Sequence, residues 1–219
     1  MGAATALMLP PLKEVLLIFT SVLFIVDPFA AVPSFLAMTE HDTPSARRSM
    51  ARRGAWTCAV TLTLFALGGS VIFTLFGITL GAFKIAGGVL IGLNAIDMVQ
   101  ARRSQQQETP VERAEGTLKE DIGIIPLGLP MLAGPGAIST VMVLAGQSTT
   151  TVTTFAVYAA IALTAFVSFL TLATATIVEQ RLGQTGMRIL TRCMGLVLCA
   201  IAVQFIVDGI KMSGLAGTP

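Results

Sequence analysis

Two short runs place an acid, prolines, glycines and hydroxyls inside stretches that are otherwise apolar. The first is Asp27-Pro28-Phe29-Ala30-Ala31-Val32-Pro33 and the second is Gly134-Pro135-Gly136-Ala137-Ile138-Ser139-Thr140. Proline has no backbone N–H, and its ring collides with the carbonyl four residues earlier, so each run interrupts a helix. Asp27 stands directly before Pro28 and has two open roles: capping a half-helix that begins at Pro28, or meeting a solute or cation. Gly134 and Gly136 let another group come close to the backbone, and Pro135 opens a half-helix whose free N–H groups attract a carboxylate. Ser139 and Thr140 lie in that first turn and add hydroxyls. Taken singly, Gly, Pro and Ser in a membrane helix are explained by close packing. A whole run mirrored by an Asp-Pro run points to binding chemistry, with acceptors at the first break (Asp27, Pro28, Pro33) and donors at the second.

The runs are related by a constant offset of 107 positions, which takes Pro28 to Pro135 and Ala30 to Ala137. The same offset pairs Gly88 with Gly195, Ala95 with Ala202 and Asp97 with Gln204. Matching helix breaks in two halves of one chain are the sequence pattern of carriers built on broken helices.

Hydrophobic residues make up 54% of the 219 positions and charged residues 12%, too little polar cover for a water-soluble surface. Six apolar stretches follow, at residues 12–35, 55–76, 78–99, 122–145, 152–178 and 189–210, each near the ~20 residues that cross ~30 Å of hydrocarbon. The loops after the first, third and fifth carry Arg47, Arg48, Arg52, Arg53, Arg102, Arg103, Arg113, Lys119, Arg181, Arg188 and Arg192, 11 of the 14 basic residues. The positive-inside rule puts those loops in the cytoplasm and both termini in the periplasm. The expected architecture is all-α: a single integral membrane domain over 1–219, with six transmembrane helices in two inverted-topology three-helix repeats. The repeats cover 12–99 and 122–210, helices one and four are broken, and 100–121 is a cytoplasmic linker.

Other polar groups are few. Asn94 and Asp97 are three apart on one helix face, with Asn94 expected to look into the bundle and Asp97 to lie at the cytoplasmic boundary. Gln204 is the offset partner of Asp97 and joins the candidate binding residues; Asp208 reads as an interfacial charge. Trp56 reads as an interface anchor, and Cys58, Cys193 and Cys199 as buried free thiols. His41 has no plausible set of metal ligands around it, and no Gly-rich loop followed by Lys and Ser/Thr occurs. No catalytic assembly, metal or cofactor is expected, and no basic patch with interleaved aromatics suits nucleic acid.

With both broken spans in view, the chain resembles the MarC family of bacterial and archaeal membrane proteins, also called UPF0056 or NAAT (neutral amino acid transporter). The resemblance covers nearly the full length. It is carried by Asp27-Pro28 with Pro33 and Phe35, by Phe83-Lys84-Ile85-Ala86-Gly87-Gly88, by Leu132 through Thr140, and by Ala202-Val203-Gln204-Phe205. It implies a six-span protein of the inner membrane, and some members are described as carriers of small neutral amino acids such as glycine and alanine. The family's first motif usually has Gly and Asn where this chain has Ala30 and Ala31. That departure removes backbone freedom and one polar side chain from the first break.

The leading expectation is a secondary carrier of a small zwitterionic solute in the bacterial inner membrane, in contact with membrane lipid and coupled to H+ or Na+. The alternative is a non-transporting membrane scaffold, subunit or stress-response protein. A carrier should have a polar cavity reaching both breaks, and a scaffold tight apolar packing there. The topology is testable on a chain cleared of native thiols. Cysteines at Gly2→Cys and Gly217→Cys should react from the periplasmic side, and Gln106→Cys should not. Reversed labelling would overturn the charge argument, and termini labelled from opposite sides would break the six-span count.

Overall fold

The structure, a computed structural model, describes residues 2–39, 42–100 and 127–214. His41, Pro126, the start of the fourth expected span and all of the 100–121 linker except Gln100 lie outside the described residues. The described elements are helices α1 (Gly2–Val26), α2 (Pro28–Met38), α3 (Pro44–Phe76) and α4 (Leu80–Val99), then a π-helical turn (Leu127–Leu132), then α5 (Pro135–Gln147), α6 (Thr151–Ala173) and α7 (Ala175–Met212). Five segments are long and apolar enough to cross a membrane: Leu12–Leu36, Pro44–Phe76, Leu80–Val99, Thr151–Ala173 and Thr185–Met212. The fold is therefore all-α and multi-span, with a bend in its first membrane segment.

Helix starts follow one local rule. Thr43, Thr79 and Thr150 cap α3, α4 and α6, each accepting the N–H of the residue three positions on. Asp27 caps α2 in the same way, through Ala30. Gly134, at the start of α5, has no side chain to do so.

Several boundaries differ from those read in the sequence. Pro33 does not break its helix; α2 runs through it to Met38, and Pro33 sits on an exposed face. Its missing N–H withholds one bond from the Phe29 carbonyl, which a single turn tolerates. The fifth span ends at Ala173 rather than 178, because the chain turns at Thr174. α7 then begins at once and kinks at Gly183, whose φ of 64° suits glycine, so the last membrane segment starts at Thr185 rather than 189. α3 reaches back to Pro44, well before residue 55.

Large apolar side chains face outward: Trp56, Leu64, Val71, Leu75, Phe76, Phe155 and Phe166 are all exposed. Such a surface suits the hydrocarbon of a membrane. Within the protein, α3 packs on α5, α6 and the π turn; α6 packs on α1, α2 and α3; and α4 and α7 pack on each other most extensively. Cys58 is buried and Cys199 half-buried, but Cys193 lies on the exposed face of α7, contrary to its reading as a buried thiol.

The α4–α7 seam is antiparallel and built from small residues at intervals of seven. Gly81 lies against Gly209, Gly88 against Ala202, and Ala95 against Gly195. A methyl group placed on Gly88 would sit 2.8 Å from the Ala202 carbonyl oxygen, and one on Gly195 would sit 3.0 Å from the Ala95 carbonyl oxygen. Two backbones are thus in contact, which brings dispersion and Cα–H···O contacts into play where lipid cancels any hydrophobic drive between helices. The contacts are reciprocal under the offset of 107, since Gly88 meets the counterpart of Ala95 and the counterpart of Gly88 meets Ala95 itself.

One ion pair stitches the same seam. Lys84 Nζ on α4 lies 3.2 Å from Asp208 Oδ2 on α7, and 5.4 Å from the Phe205 ring centroid. Gln204 Nε2 donates to Asp208 Oδ1 at 2.7 Å. Asp208 is therefore a structural partner of a buried lysine and more than an interfacial charge, because a cation held inside the apolar region needs an anion beside it.

The seam gives a graded prediction. Gly88→Leu and Gly195→Leu should each destabilise the detergent-solubilised protein by ~3 kcal/mol through overpacking against backbone, read as a fall of ~6–12 °C in the unfolding midpoint. Gly92→Ala should leave the midpoint unchanged, because its methyl would make an ordinary 3.5 Å contact with Ala202 Cβ.

Candidate functional site

The two breaks meet. At the first, α1 stops at Val26 and α2 starts at Pro28, with Asp27 in a left-handed conformation (φ 43°, ψ 69°) between them. Asp27 is the sole non-glycine residue with positive φ among the described residues. This conformation costs an ordinary side chain energy, and aspartate tolerates it better than most. The Asp27 N–H still reaches the Leu23 carbonyl at 3.0 Å, which completes α1. Its Oδ1 accepts the Ala30 N–H at 3.3 Å, which begins α2. One residue therefore closes one helix and opens the next. It is 5% exposed, and its Oδ2 has no hydrogen-bond partner.

The second break has the opposite electrostatic character. The π turn carries one extended residue, Leu129 (φ −140°, ψ 123°), and ends in Ala133, whose N–H bonds the Gly128 carbonyl. Gly134 follows in extended backbone, and α5 starts at Pro135. The first helical bond of α5 is from the Ile138 N–H to the Gly134 carbonyl. Pro135 has no N–H, so the N–H groups of Gly136 and Ala137 are the ones with no helical acceptor at this positive dipole end.

A cavity of about 50 Å³ lies between the breaks, lined by Asp27 on one side and Gly134, Pro135, Gly136 and Ala137 on the other. At roughly 10–15 Å³ per water-sized group, it holds about four such groups. Asn94 of α4 also lines it, as does a ring of apolar residues including Ala31, Met98 and Met131. Half of the lining falls into pairs related by the offset of 107: Ile25 with Leu132, Asp27 with Gly134, Ala30 with Ala137, and Ile91 with Leu198. Positions related by that offset thus surround one small space. They differ in chemistry chiefly where Asp27 faces a glycine counterpart.

Of the residues singled out in the sequence, Asp27, Asn94, Gly134, Pro135 and Gly136 come together at this cavity. Pro28 is buried at the start of α2 but is not part of the lining, and Pro33 points away on the exposed side of α2. Ser139 and Thr140 are buried, and both hydroxyls donate to the Gly136 carbonyl, at 2.9 and 2.8 Å. Ser139 also fills the space left by Gly87, where a methyl group would lie 2.6 Å from its Oγ. Gln204 is not in the lining and is engaged with Asp208.

Sequence reasoning passed over three features. Ile91 and Leu198 line the cavity as a pair that the offset of 107 already connects. The Lys84–Asp208 pair left no local signal. Arg47 donates from Nε to the Thr39 carbonyl at 2.9 Å, at the C-terminus of α2, and from a terminal nitrogen to Thr176 Oγ1 at 3.3 Å. It thereby ties the free end of α2 to the start of α7, with its cation favourably placed at a helix C-terminus. Among the described residues, no group of three or more His, Cys, Asp or Glu is placed to hold a metal ion.

Residues 12–213 match the family model described as MarC family integral membrane protein. The chain is 42% identical to a UPF0056 membrane protein of Methanocaldococcus jannaschii over 91% of its own length and 97% of that relative's. It is 37% identical to a UPF0056 membrane protein of Aquifex aeolicus, and 35% identical to the UPF0056 membrane protein YhcE of Escherichia coli, in both cases over 88% of this chain and 90% of the relative. No solved structure matches the chain. With the match spanning all five membrane segments and both helix breaks, the chain belongs to the MarC family of integral membrane proteins.

Proposed function

We propose that this protein is a secondary carrier for small neutral amino acids or similar zwitterionic solutes in the bacterial inner membrane. The cavity between the two breaks carries this reading. Its lining includes Asp27 together with Gly136 and Ala137 at the uncapped start of α5, and it is small. A solute carboxylate would take the N–H groups at the positive end of α5, and its ammonium would take Asp27, with Asn94 as a further polar contact. Ser139 and Thr140 act one layer back, by holding the Gly136 carbonyl and so the pose of the first turn. Pro28 keeps the first span from running as one straight helix, and Gln204 orients Asp208 beside Lys84.

The same reading takes the two halves, 12–99 and 122–210, as inverted repeats joined by a cytoplasmic linker at 100–121, with both termini periplasmic. It is supported by the reciprocal α4–α7 contacts and by the helix pairings. α1 and α2 pack on α6 as the π turn and α5 pack on α3, and α2 packs on α7 as α5 packs on α4. In such carriers the solute site lies where the repeats meet, and one half rocks against the other. An ion gradient of H+ or Na+ would supply the driving force. The lined cavity at both breaks favours passage over a scaffold role, for which tight apolar packing would serve better.

Purified protein in liposomes should catalyse counterflow of radiolabelled glycine or alanine, and no flux above empty liposomes across an amino-acid panel would refute the carrier reading. Gly136→Val should abolish that flux at equal abundance, because its Cβ would already press on Ile91 Cγ1 at 3.0 Å and its methyls would crowd the N–H groups. Asp27→Asn keeps the shape and removes the charge, so lost flux in a folded variant identifies an ionic contact. Ser139→Ala should cost less, since it leaves the N–H groups in place. Normal flux in Gly136→Val would move the binding site away from the second break.

A further inference from the structure

One side of α3 is open along nearly its whole length. Trp56, Val60, Leu64, Leu67, Val71 and Leu75 recur at intervals of four or three and are all exposed, Trp56 at 71%. The opposite side of the same helix, with Ala51, Gly54, Ala55, Cys58 and Leu62, is buried. At ~1.5 Å per residue the open stripe from Trp56 to Leu75 covers ~28 Å, close to the ~30 Å of the hydrocarbon. Trp56 then stands at the boundary, where an indole keeps its ring in lipid and its N–H among polar groups.

Two further steps of four, toward the start of α3, lead to Arg52 and Arg48, and both are exposed. They lie ~6 and ~12 Å beyond Trp56 along the helix axis, which puts Arg52 within the headgroup layer and Arg48 at its outer edge. A side chain as long as that of Arg48 reaches back into the layer. Neither arginine makes a hydrogen bond or an ion pair among the described residues. Their neighbour Arg47, in contrast, is occupied by the Thr39 carbonyl and the Thr176 hydroxyl. Arg48 and Arg52 do not help their own helix either. Like charges one turn apart repel, and the first turn of α3 holds no acid to offset them.

We propose that Arg48, Arg52 and Trp56 form a docking site for the headgroup of an anionic phospholipid of the phosphatidylglycerol class, in the leaflet at the start of α3. A phosphate between the two guanidiniums takes forked N–H···O bonds and relieves their repulsion. The indole of Trp56 meets the ester region below it, and an acyl chain follows Val60 and Leu64. A zwitterionic headgroup would bring its own ammonium beside the arginines and bind less well. A soluble acidic partner fits poorly, because the stripe continues from the arginines into the depth of the hydrocarbon without a break. The site shares no residue with the cavity, and it stands whether or not the chain moves a solute.

The test is thermal unfolding of the purified protein in a neutral detergent, with phosphatidylglycerol or phosphatidylcholine added to the micelles. Phosphatidylglycerol should raise the midpoint saturably over phosphatidylcholine, by ~3–6 °C at tenfold excess over its dissociation constant. Arg48→Gln combined with Arg52→Gln should lose that increment. Arg181→Gln combined with Arg192→Gln removes the same charge from exposed positions on α7 and should keep it. If the first pair does not fold, Arg52→Lys decides: it keeps the charge, loses the fork, and should need several-fold more phosphatidylglycerol for half-saturation. Unchanged half-saturation in that variant would overturn the proposal. Equal midpoints in the two lipids would overturn it too, as would equal losses in the two double variants, which mean diffuse attraction to any basic residue. An increment of the same size from water-soluble glycerol phosphate would replace the lipid with a free phosphate and overturn the assignment.

Discussion

In hydrocarbon, a peptide N–H or carbonyl without a partner has no water to turn to, and every departure from a helix must be answered from within the protein. Both breaks in this chain follow from that constraint. At the first, a side chain replaces the lost backbone partners: the N–H of Asp27 finishes one helix while its carboxylate starts the next. At the second, the start of α5 is left uncapped, and its open donors border a cavity instead of lipid. The surrounding helices shield the two from the bilayer and force them toward each other. The space between them, with Asp27 and the uncapped start of α5 in its lining, then results from satisfying the backbone.

What holds those helices together differs from a water-soluble core. Their outward faces carry Leu, Phe and Trp, so burying more of the same gains little against lipid. Cohesion comes from proximity, as in the α4–α7 seam where glycine lets one backbone touch the next. The Lys84–Asp208 pair sits in that seam between Gly81 and Gly88, where a displaced helix would strand a charge in an apolar setting.

Much of this was legible residue by residue. Pro28 and Pro135 announce breaks because proline lacks a donor in any context, and Asn94 had to look inward because an amide finds no partner in lipid. The offset of 107 linked Gly88 to Gly195 and Ala95 to Ala202 before either contact was seen, though nothing in it said that they would touch crosswise. Other features depend on distances that sequence does not encode. Lys84 and Asp208 lie 124 positions apart, and Pro33 looked like a second break until the helix around it absorbed one missing bond. Ser139 and Thr140 read as solute contacts, but short hydroxyl side chains in a helix find the preceding carbonyl first.

The crosswise reading of the seam carries an economy of information. Gly88 meets the equivalent of Ala95, and Ala95 meets the equivalent of Gly88, so one half's sequence already encodes both surfaces of the contact. An interface of this kind is self-complementary, as in a two-fold homodimer. Away from the seam the offset pairs unlike residues, as at Asp27 and Gly134, an acid at one position and bare backbone at the other.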